Sequence, residues 1–173
     1  MRRFSALLAV AAVAVLLAPV AVAEAPVVVS GGGTGTFGAD LDGDGDIDGS
    51  HFGFGATFAS GSMRGHFECQ MAGNTDILGL PLMAVEGKVS GESANPGAGT
   101  AMLTGIATVN LANGTKFTDV EYTVQLWEGG RGVGRLKLTV IGAFDVVPGD
   151  TIPGNGNYDL PVETVATGQI RIR

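Results

Sequence analysis

The sequence predicts an all-β protein of about eight antiparallel strands, arranged as a meander that forms a sandwich or a flattened up-and-down barrel. From Ala25 onward, apolar and polar residues alternate, and no stretch shows the 3.6-residue period of a helix. Turn residues recur roughly every ten to fifteen positions. The 173 residues include 29 glycines. Because many inward positions are small, closely packed sheets are favoured over a wide ligand cavity.

Residues 1–23 have the three parts of a secretory signal peptide. Arg2 and Arg3 form a basic start, an apolar run extends from Leu7 to Leu17, and Ala21-Val22-Ala23 fits a cleavage site. The segment is also about long enough to span a bilayer as an uncleaved anchor, but the small residues at its end favour cleavage. We therefore expect a single exported β-domain, secreted, periplasmic or on the cell surface, without stable membrane insertion.

Charge and cysteine content restrict the partners of that domain, residues 24–173. The formal charge of the whole chain is −7, and loss of Arg2 and Arg3 leaves 8 basic against 17 acidic residues, a charge of −9. An acidic chain without a basic cluster is not expected to bind nucleic acid or an anionic membrane. Cys69 is the single cysteine, so it forms no internal disulfide and is expected to be a buried, inert thiol, with a bridge to another chain as the alternative. An extracellular protein or a glycan remains as the class of partner.

Alternating apolar residues, separated by turn signals, place the strands along the chain. The predicted strands are Pro26–Phe37, His51–Ala59, Ser62–Met71, Leu82–Ser90, Thr100–Leu111, a sixth carrying Val120 to Leu126, a seventh carrying Leu136 to Val140, and Tyr158–Ile172. The segments between them are expected to be loops, chiefly 72–80, 91–99 and 147–157.

The second and third strands give the sharpest prediction of register. A two-residue turn at Ser60-Gly61 sets Phe58 opposite Met63 and Phe54 opposite Phe67. Both apolar faces then coincide, which is the condition that a correct register must satisfy.

Two further hairpins follow from turn residues. Asn113-Gly114 favours a tight turn, and matching the apolar faces on either side of it requires a bulge near Phe117. A three-residue loop at Gly129-Gly130-Arg131 is predicted to pair Val124 with Leu136.

The acidic loop, residues 40–51, contains the chemistry most suggestive of a ligand. Carboxylates at alternate positions repel one another, and a hard dication relieves that repulsion, since Ca²⁺ accepts six to eight oxygen ligands from a tight loop. The candidate metal ligands are Asp40, Asp42, Asp44, Asp46 and Asp48. The alternative is a solvated acidic loop that holds no ion.

The spacing of these residues follows the first nine positions of an EF-hand loop. With Asp40 at position 1, Gly45 falls at the sharp-turn position 6 and Asp48 at position 9. Position 12, where an acidic bidentate ligand belongs, is His51, and imidazole is a poor ligand for a hard ion. We expect weak affinity, or a residue elsewhere in the chain to complete the shell.

Four short segments resemble one family. They are Phe52–Ala56, Ser62–Phe67, Val85–Val89 and Tyr122–Val124, the last followed by Glu128–Gly130. Together they are similar to the post-COAP domain group of secreted bacterial β-domains, with the acidic loop as an insertion that resembles one half of a dockerin or EF-hand calcium site. The resemblance implies an extracytoplasmic β-domain and supplies no catalytic residues.

Three functional hypotheses follow. The first is an exported, non-enzymatic β-domain that calcium stabilises and that acts as a binding or structural module. The second is a carbohydrate-active or other hydrolytic enzyme that uses exposed acids such as Glu121, Glu128 or Asp159. The third is a small-ligand barrel with an apolar cavity. Trp127 is predicted to point outward, where an indole can stack on a sugar or protect a sheet edge.

Overall fold

The computed structural model describes residues 25–41, 45, 47–59, 61–77 and 80–173. The predicted signal peptide lies outside these residues. The described chain forms ten strands and one 3-10 turn, Pro96–Ala98. The strands are β1 (Val27–Thr36), β2 (Gly49–Ala59), β3 (Ser62–Ile77), β4 (Leu80–Asn95), β5 (Thr100–Leu111), β6 (Lys116–Trp127), β7 (Gly129–Gly130), β8 (Arg135–Val140), β9 (Tyr158–Asp159) and β10 (Glu163–Ile172).

These strands form one antiparallel sheet that closes on itself. The hydrogen-bonded order runs from β10 through β1, β2, β3, β4, β5 and β6 to β8, and β10 also pairs with β8. The ring therefore contains eight strands in up-and-down order, with β7 and β9 as short additions. The predicted all-β antiparallel fold is confirmed, and the closed ring makes it a barrel.

Stacked aromatic rings occupy the barrel interior. Phe67 lies between Phe54 and Tyr122, with ring centroids 6.5 Å and 5.3 Å away, and Phe52 follows Phe54 at 6.1 Å. All four rings are buried. Tyr122 fits because Gly87 lacks a side chain there, since a Cβ on that glycine would come within 2.5 Å of the Tyr122 ring. The interior is apolar enough that burial raises the pKa of Tyr122 to about 12.

The predicted register of the second and third strands is confirmed. Phe58 pairs with Met63, and Phe54 pairs with Phe67. Gly61, in the turn that joins the strands, has φ +76°, a left-handed conformation that glycine adopts without steric cost. The alternation of apolar residues therefore specified which side of each strand faces the core.

The predicted bulge near Phe117 is also confirmed. Val109 pairs with Phe117 and Ala107 with Val120, so two residues of β6 face one residue of β5. Asp119 takes the left-handed conformation there, with φ +59°.

Two predicted loops are strands instead. β3 extends to Ile77 and pairs with the start of β4 at Leu80, so most of the loop expected over 72–80 is strand, and residues 78–79 lie outside the described residues. β4 continues to Asn95 and pairs with β5, which replaces most of the loop expected over 91–99. The register shifts beside Gly91. The backbone passes close to Thr104 there, since a Cβ on Gly91 would meet the Thr104 hydroxyl at 2.1 Å, so the pairing depends on glycine at this position. The polar composition of the segment suggested a loop, whereas pairing with a complete neighbouring strand fixes it as a strand.

The predicted register between β6 and β8 is wrong by two residues. Val124 pairs with Leu138, and Leu126 pairs with Leu136. A shift of two leaves the same side chains on the core face, so alternation cannot distinguish the two registers. The connection is longer than three residues because Gly129 and Gly130 form β7 and pair with β10.

The last predicted strand is divided into two. β9 pairs with β8, and β10, which follows it, pairs with β1 and again with β8. Within the described residues, no helix has the length and apolar character needed to cross a membrane.

Candidate functional site

The acidic loop connects β1 to β2 at one end of the barrel. Asp40 and Asp48, two of the five predicted metal ligands, belong to the described residues. Asp42, Asp44 and Asp46 lie outside them, so their placement stays a prediction. Asp48 is buried, with 1% of its surface exposed, and Asp40 is exposed.

Hydrogen bonds fold this loop back on itself. The Asp40 carboxylate (Oδ2) accepts the backbone N–H of Gly45 at 2.9 Å. Gly45 has φ +101°, the kind of left-handed conformation expected at the sharp-turn position. The Asp48 carboxylate accepts the N–H of Leu41, and the Asp48 carbonyl accepts the N–H of Phe37 at 3.0 Å. Residues near both ends of the loop are thereby held together.

The chemistry of this loop suits a hard cation. Carboxylate and carbonyl oxygens are the ligands that Ca²⁺ prefers. Among the described residues alone, no three His, Cys, Asp or Glu side chains form a group that could hold a metal ion. A calcium site in this loop therefore needs oxygen ligands besides the described carboxylates, and Asp42, Asp44 and Asp46 are the predicted source.

A buried carboxyl group lies beside the acidic loop, inside the barrel. Glu163, at the start of β10, is 1% exposed, and its Oε2 accepts a hydrogen bond from the Ser50 hydroxyl at 2.6 Å. The glutamate fits because its partner strand has Gly35 at this point, where a Cβ would meet Oε2 at 2.2 Å. Ser50 is two residues after Asp48 and belongs to β2, which begins at Gly49, so the end predicted for the acidic loop is the start of this strand and contacts the buried carboxyl.

Burial dominates the electrostatics of this cluster. It raises the pKa of Glu163 to about 7, although the Ser50 hydrogen bond acts in the opposite direction. The Cys69 thiol is also buried, and its pKa is raised by burial and then by the negative charge of Glu163. A thiol in that state is unreactive, which agrees with the expectation of a buried, inert Cys69.

A second loop, residues 141–157, covers the same end of the barrel. Gly149 lies beside Leu41 of the acidic loop and beside the Tyr158 hydroxyl. Tyr158 is fully buried and donates a hydrogen bond to the Pro148 carbonyl at 3.0 Å. Its pKa is raised by burial and by the carboxylates of Asp150 and Asp48. The two loops therefore meet at Tyr158.

Carboxylates hold the second loop in shape. Asp145 accepts the N–H groups of Gly154 at 2.7 Å and Gly156 at 2.9 Å, and these bonds, that of Gly154 first, hold its pKa below the usual value. Asp150 accepts the N–H groups of Val146 at 3.1 Å and Ile152 at 3.0 Å. These aspartates satisfy backbone donors that the irregular segment would otherwise leave unpaired.

The three acids considered for catalysis do not share an environment. Glu121 and Glu128 are exposed, as expected. Asp159 was expected to be exposed, and that expectation is wrong, since only 6% of its surface is accessible. Burial alone would raise the Asp159 pKa, but hydrogen bonds from Asn155 and Thr139 and the Lys137 ammonium at 3.5 Å hold it below its usual value. Asp159 therefore ties β8 to the second loop.

Sequence reasoning missed the pair formed by Glu163 and Ser50. Glu163 has the same parity along its strand as the buried Val165, so alternation alone places it on the inward face. The sequence signal that could have revealed this site was an acidic residue, Glu163, at a position that alternation assigns to the core. The partner could not be read from the sequence, because Ser50 is 113 residues away.

No family model, no curated protein and no solved structure matches this chain. The resemblance to the post-COAP domain group therefore stays a prediction.

Proposed function

We propose that this protein is an exported, non-enzymatic β-barrel module whose acidic loop is stabilised by Ca²⁺ and which acts by binding or as a structural part. The observation that carries the proposal is the folded acidic loop. The Asp40 carboxylate accepts the backbone N–H of Gly45, and the Asp48 carboxylate accepts that of Leu41. Five aspartates within nine residues repel one another, and a bound cation would offset that repulsion.

The filled interior of the barrel supports the first hypothesis, a binding or structural module, over a small-ligand barrel. A lipocalin-type site needs an apolar cavity of several hundred Å³. Here the space between Phe54 and Tyr122 is taken by Phe67, which has no exposed surface. Among the described residues, the outer face of the sheet and the loops at its ends are the surfaces that we consider for recognition.

The distribution of acids supports the same choice over a hydrolase. Hydrolysis by paired carboxyl groups needs two acids that face one cleft in different environments. Glu121 and Glu128 are on the exposed surface, whereas Asp159 is engaged with Lys137 and two hydrogen-bond donors.

Calcium should raise the thermal stability of residues 24–173. If only the folded chain binds, Ca²⁺ at about 100 times its dissociation constant adds roughly 2.7 kcal/mol to the free energy of unfolding. For a domain of this size that corresponds to roughly 5–10 °C in the melting temperature. The measurement is thermal unfolding followed by circular dichroism, in EDTA and in millimolar Ca²⁺.

Two variants make this test specific. Asp40→Asn should remove most of the calcium-dependent increase in melting temperature. Asp119→Asn is the matched control, because Asp119 is an exposed aspartate in the β6 bulge and asparagine tolerates its left-handed backbone. An unchanged melting temperature in millimolar Ca²⁺, or the same increase in both variants, would contradict the calcium proposal.

A further inference from the structure

The outer face of the barrel carries a groove beside Trp127. Strands β4, β5 and β6 form it at the end where the Pro96–Ala98 turn joins the first two. The groove has a volume of about 300 Å³. Six outward side chains line it in two cross-strand rows: Ser93, Met102 and Gln125 in one, and Asn95, Thr100 and Trp127 in the other. We call this surface the Trp127 groove.

The lining chemistry of the Trp127 groove is neutral. It combines an indole and a thioether with two amides and two hydroxyls, and none of the lining residues is ionisable. Three other outer grooves differ, because each contains ionisable side chains: Glu68 and Glu86 in one, Lys88 and Asp119 in the second, and Arg171 in the third. The lining itself is uncharged, and the two rows continue on β8 with Arg135 beside Trp127 and Lys137 beside Gln125.

The rim of the Trp127 groove is preorganised. Asn95 caps the short turn by accepting the N–H of Ala98 at 3.0 Å, and Gly99 closes it with φ +63°. The Gly99 carbonyl then accepts the N–H of Glu128 at 2.8 Å, which ties the turn to the end of β6 directly after Trp127. A groove with fixed walls loses little conformational entropy when it binds a ligand.

We propose that the Trp127 groove binds a neutral saccharide, with a sugar ring against the Trp127 indole and its hydroxyls on the amide and hydroxyl side chains of the two rows. Sugar rings present an apolar C–H face and a rim of hydroxyl groups. An indole offers an apolar surface with one N–H donor, and amides supply both donors and acceptors. This inference rests on the proposed role as a binding module and names the class of its ligand.

The chain provides its own reporter for this test. Trp127 is the single tryptophan of the sequence, so every change in indole fluorescence originates at the groove. The full-length chain is titrated with three neutral soluble polysaccharides, a β-1,4-glucan, a mannan and a xylan. At least one should give a saturable change in the emission of Trp127 and protect it from acrylamide quenching.

Variants assign the binding to the groove. Gln125→Ala should weaken the affinity about tenfold, because a hydrogen-bonded side chain of the groove is lost. Gln70→Ala is the matched control, since Gln70 is an exposed glutamine on the outer face of β3, away from the groove, and its variant should bind as the unmodified chain does. Trp127→Ala, checked for folding by circular dichroism, should abolish retardation in gels that contain the polysaccharide.

Three results would overturn the proposal. The first is the absence of a saturable change with all three polysaccharides. The second is binding that survives both Gln125→Ala and Trp127→Ala. The third is binding that is restricted to an acidic polysaccharide, polygalacturonate, titrated alongside the three neutral ones, and that is lost at high salt, which would indicate a charged surface. Calcium-dependent melting is measured independently. If calcium stabilises the chain but no saccharide binds, the saccharide proposal is refuted and the proposed function stands.

Discussion

Replacing Phe67 with alanine should lower the free energy of unfolding by about 3 to 5 kcal/mol, as is usual when a fully buried aromatic side chain is truncated. Phe67 has no exposed surface and stacks on Tyr122 at 5.3 Å and on Phe54 at 6.5 Å. Its removal leaves a cavity that the closed ring of strands cannot collapse to fill. Domains are stable by only about 5 to 15 kcal/mol, so the variant should unfold at a much lower urea concentration.

The matched control is Phe117→Ala. Phe117 is 38% exposed in the β6 bulge, where it contacts the edge of Phe144 at a centroid distance of 5.0 Å. Its truncation removes less buried surface and should cost about 1 kcal/mol. Urea unfolding of both variants checks the pair. Equal losses of stability would show that the stacked rings contribute no more to the free energy of unfolding than a partly exposed ring does.

Replacing Glu163 with glutamine should stabilise the protein at alkaline pH by up to about 3 kcal/mol and have little effect at pH 4. The folded-state pKa of Glu163 is raised from 4.5 to about 7 by burial. A raised carboxyl pKa means that the folded chain favours the protonated form. The stability that this form gives is fully present below the unfolded pKa and is lost as pH rises through about 7. Glutamine has no charge to bury, so the variant escapes that loss.

The measurement is the free energy of unfolding of both chains between pH 4 and pH 8.5, in EDTA, where the difference between them isolates this one group. Ser50→Ala should have the opposite effect at high pH, because the ionised carboxylate loses the hydroxyl that donates to it at 2.6 Å. Glu86→Gln, at an exposed position on the outer face, should leave the pH dependence unchanged. A difference between Glu163→Gln and the unmodified chain that does not vary with pH would refute the assignment.

The sequence was sufficient for the parts of the fold that depend on alternation within short hairpins. The β2–β3 register follows from two apolar faces and one short turn, and the pairing of Phe54 with Phe67 agrees with it. The bulge near Phe117 follows from the same requirement, because a turn at Asn113-Gly114 without a bulge would place Leu111 opposite Lys116. In both cases the physical constraint is local.

The errors arose where alternation is degenerate or where a distant strand decides the outcome. A two-residue slip between β6 and β8 preserves the buried face, so Val124 could pair with Leu136 or Leu138 on the same evidence. The segment from Gly91 to Asn95 has the composition of a loop, yet it continues β4 because β5 provides a complete set of partners. Whether the sheet closes into a ring could not be predicted for the same reason, since closure depends on the pairing of β10 with both β1 and β8.

The candidate site was predictable to the extent that its residues are contiguous. Asp40 and Gly45 belong to one short motif, and the turn at Gly45 agrees with the position assigned to it. Glu163 and Ser50 come from strands that are remote in the chain, and their contact depends on the small size of Gly35 between them. A rule based on spacing along the sequence cannot detect such a pair, because β1, which carries Gly35, lies between the two strands and sets the distance between Ser50 and Glu163.

The closure of the ring has a consequence for the order of events during folding. The strand that joins both open edges is β10, and its Thr167 meets Thr34 across a separation of 133 residues. Until β10 is in place, β1 and β8 each expose a row of unpaired backbone donors and acceptors, a template for aggregation. Assembly of the closed form therefore waits for β10, and the molecule can pair edge to edge with a neighbouring chain until β10 is in place.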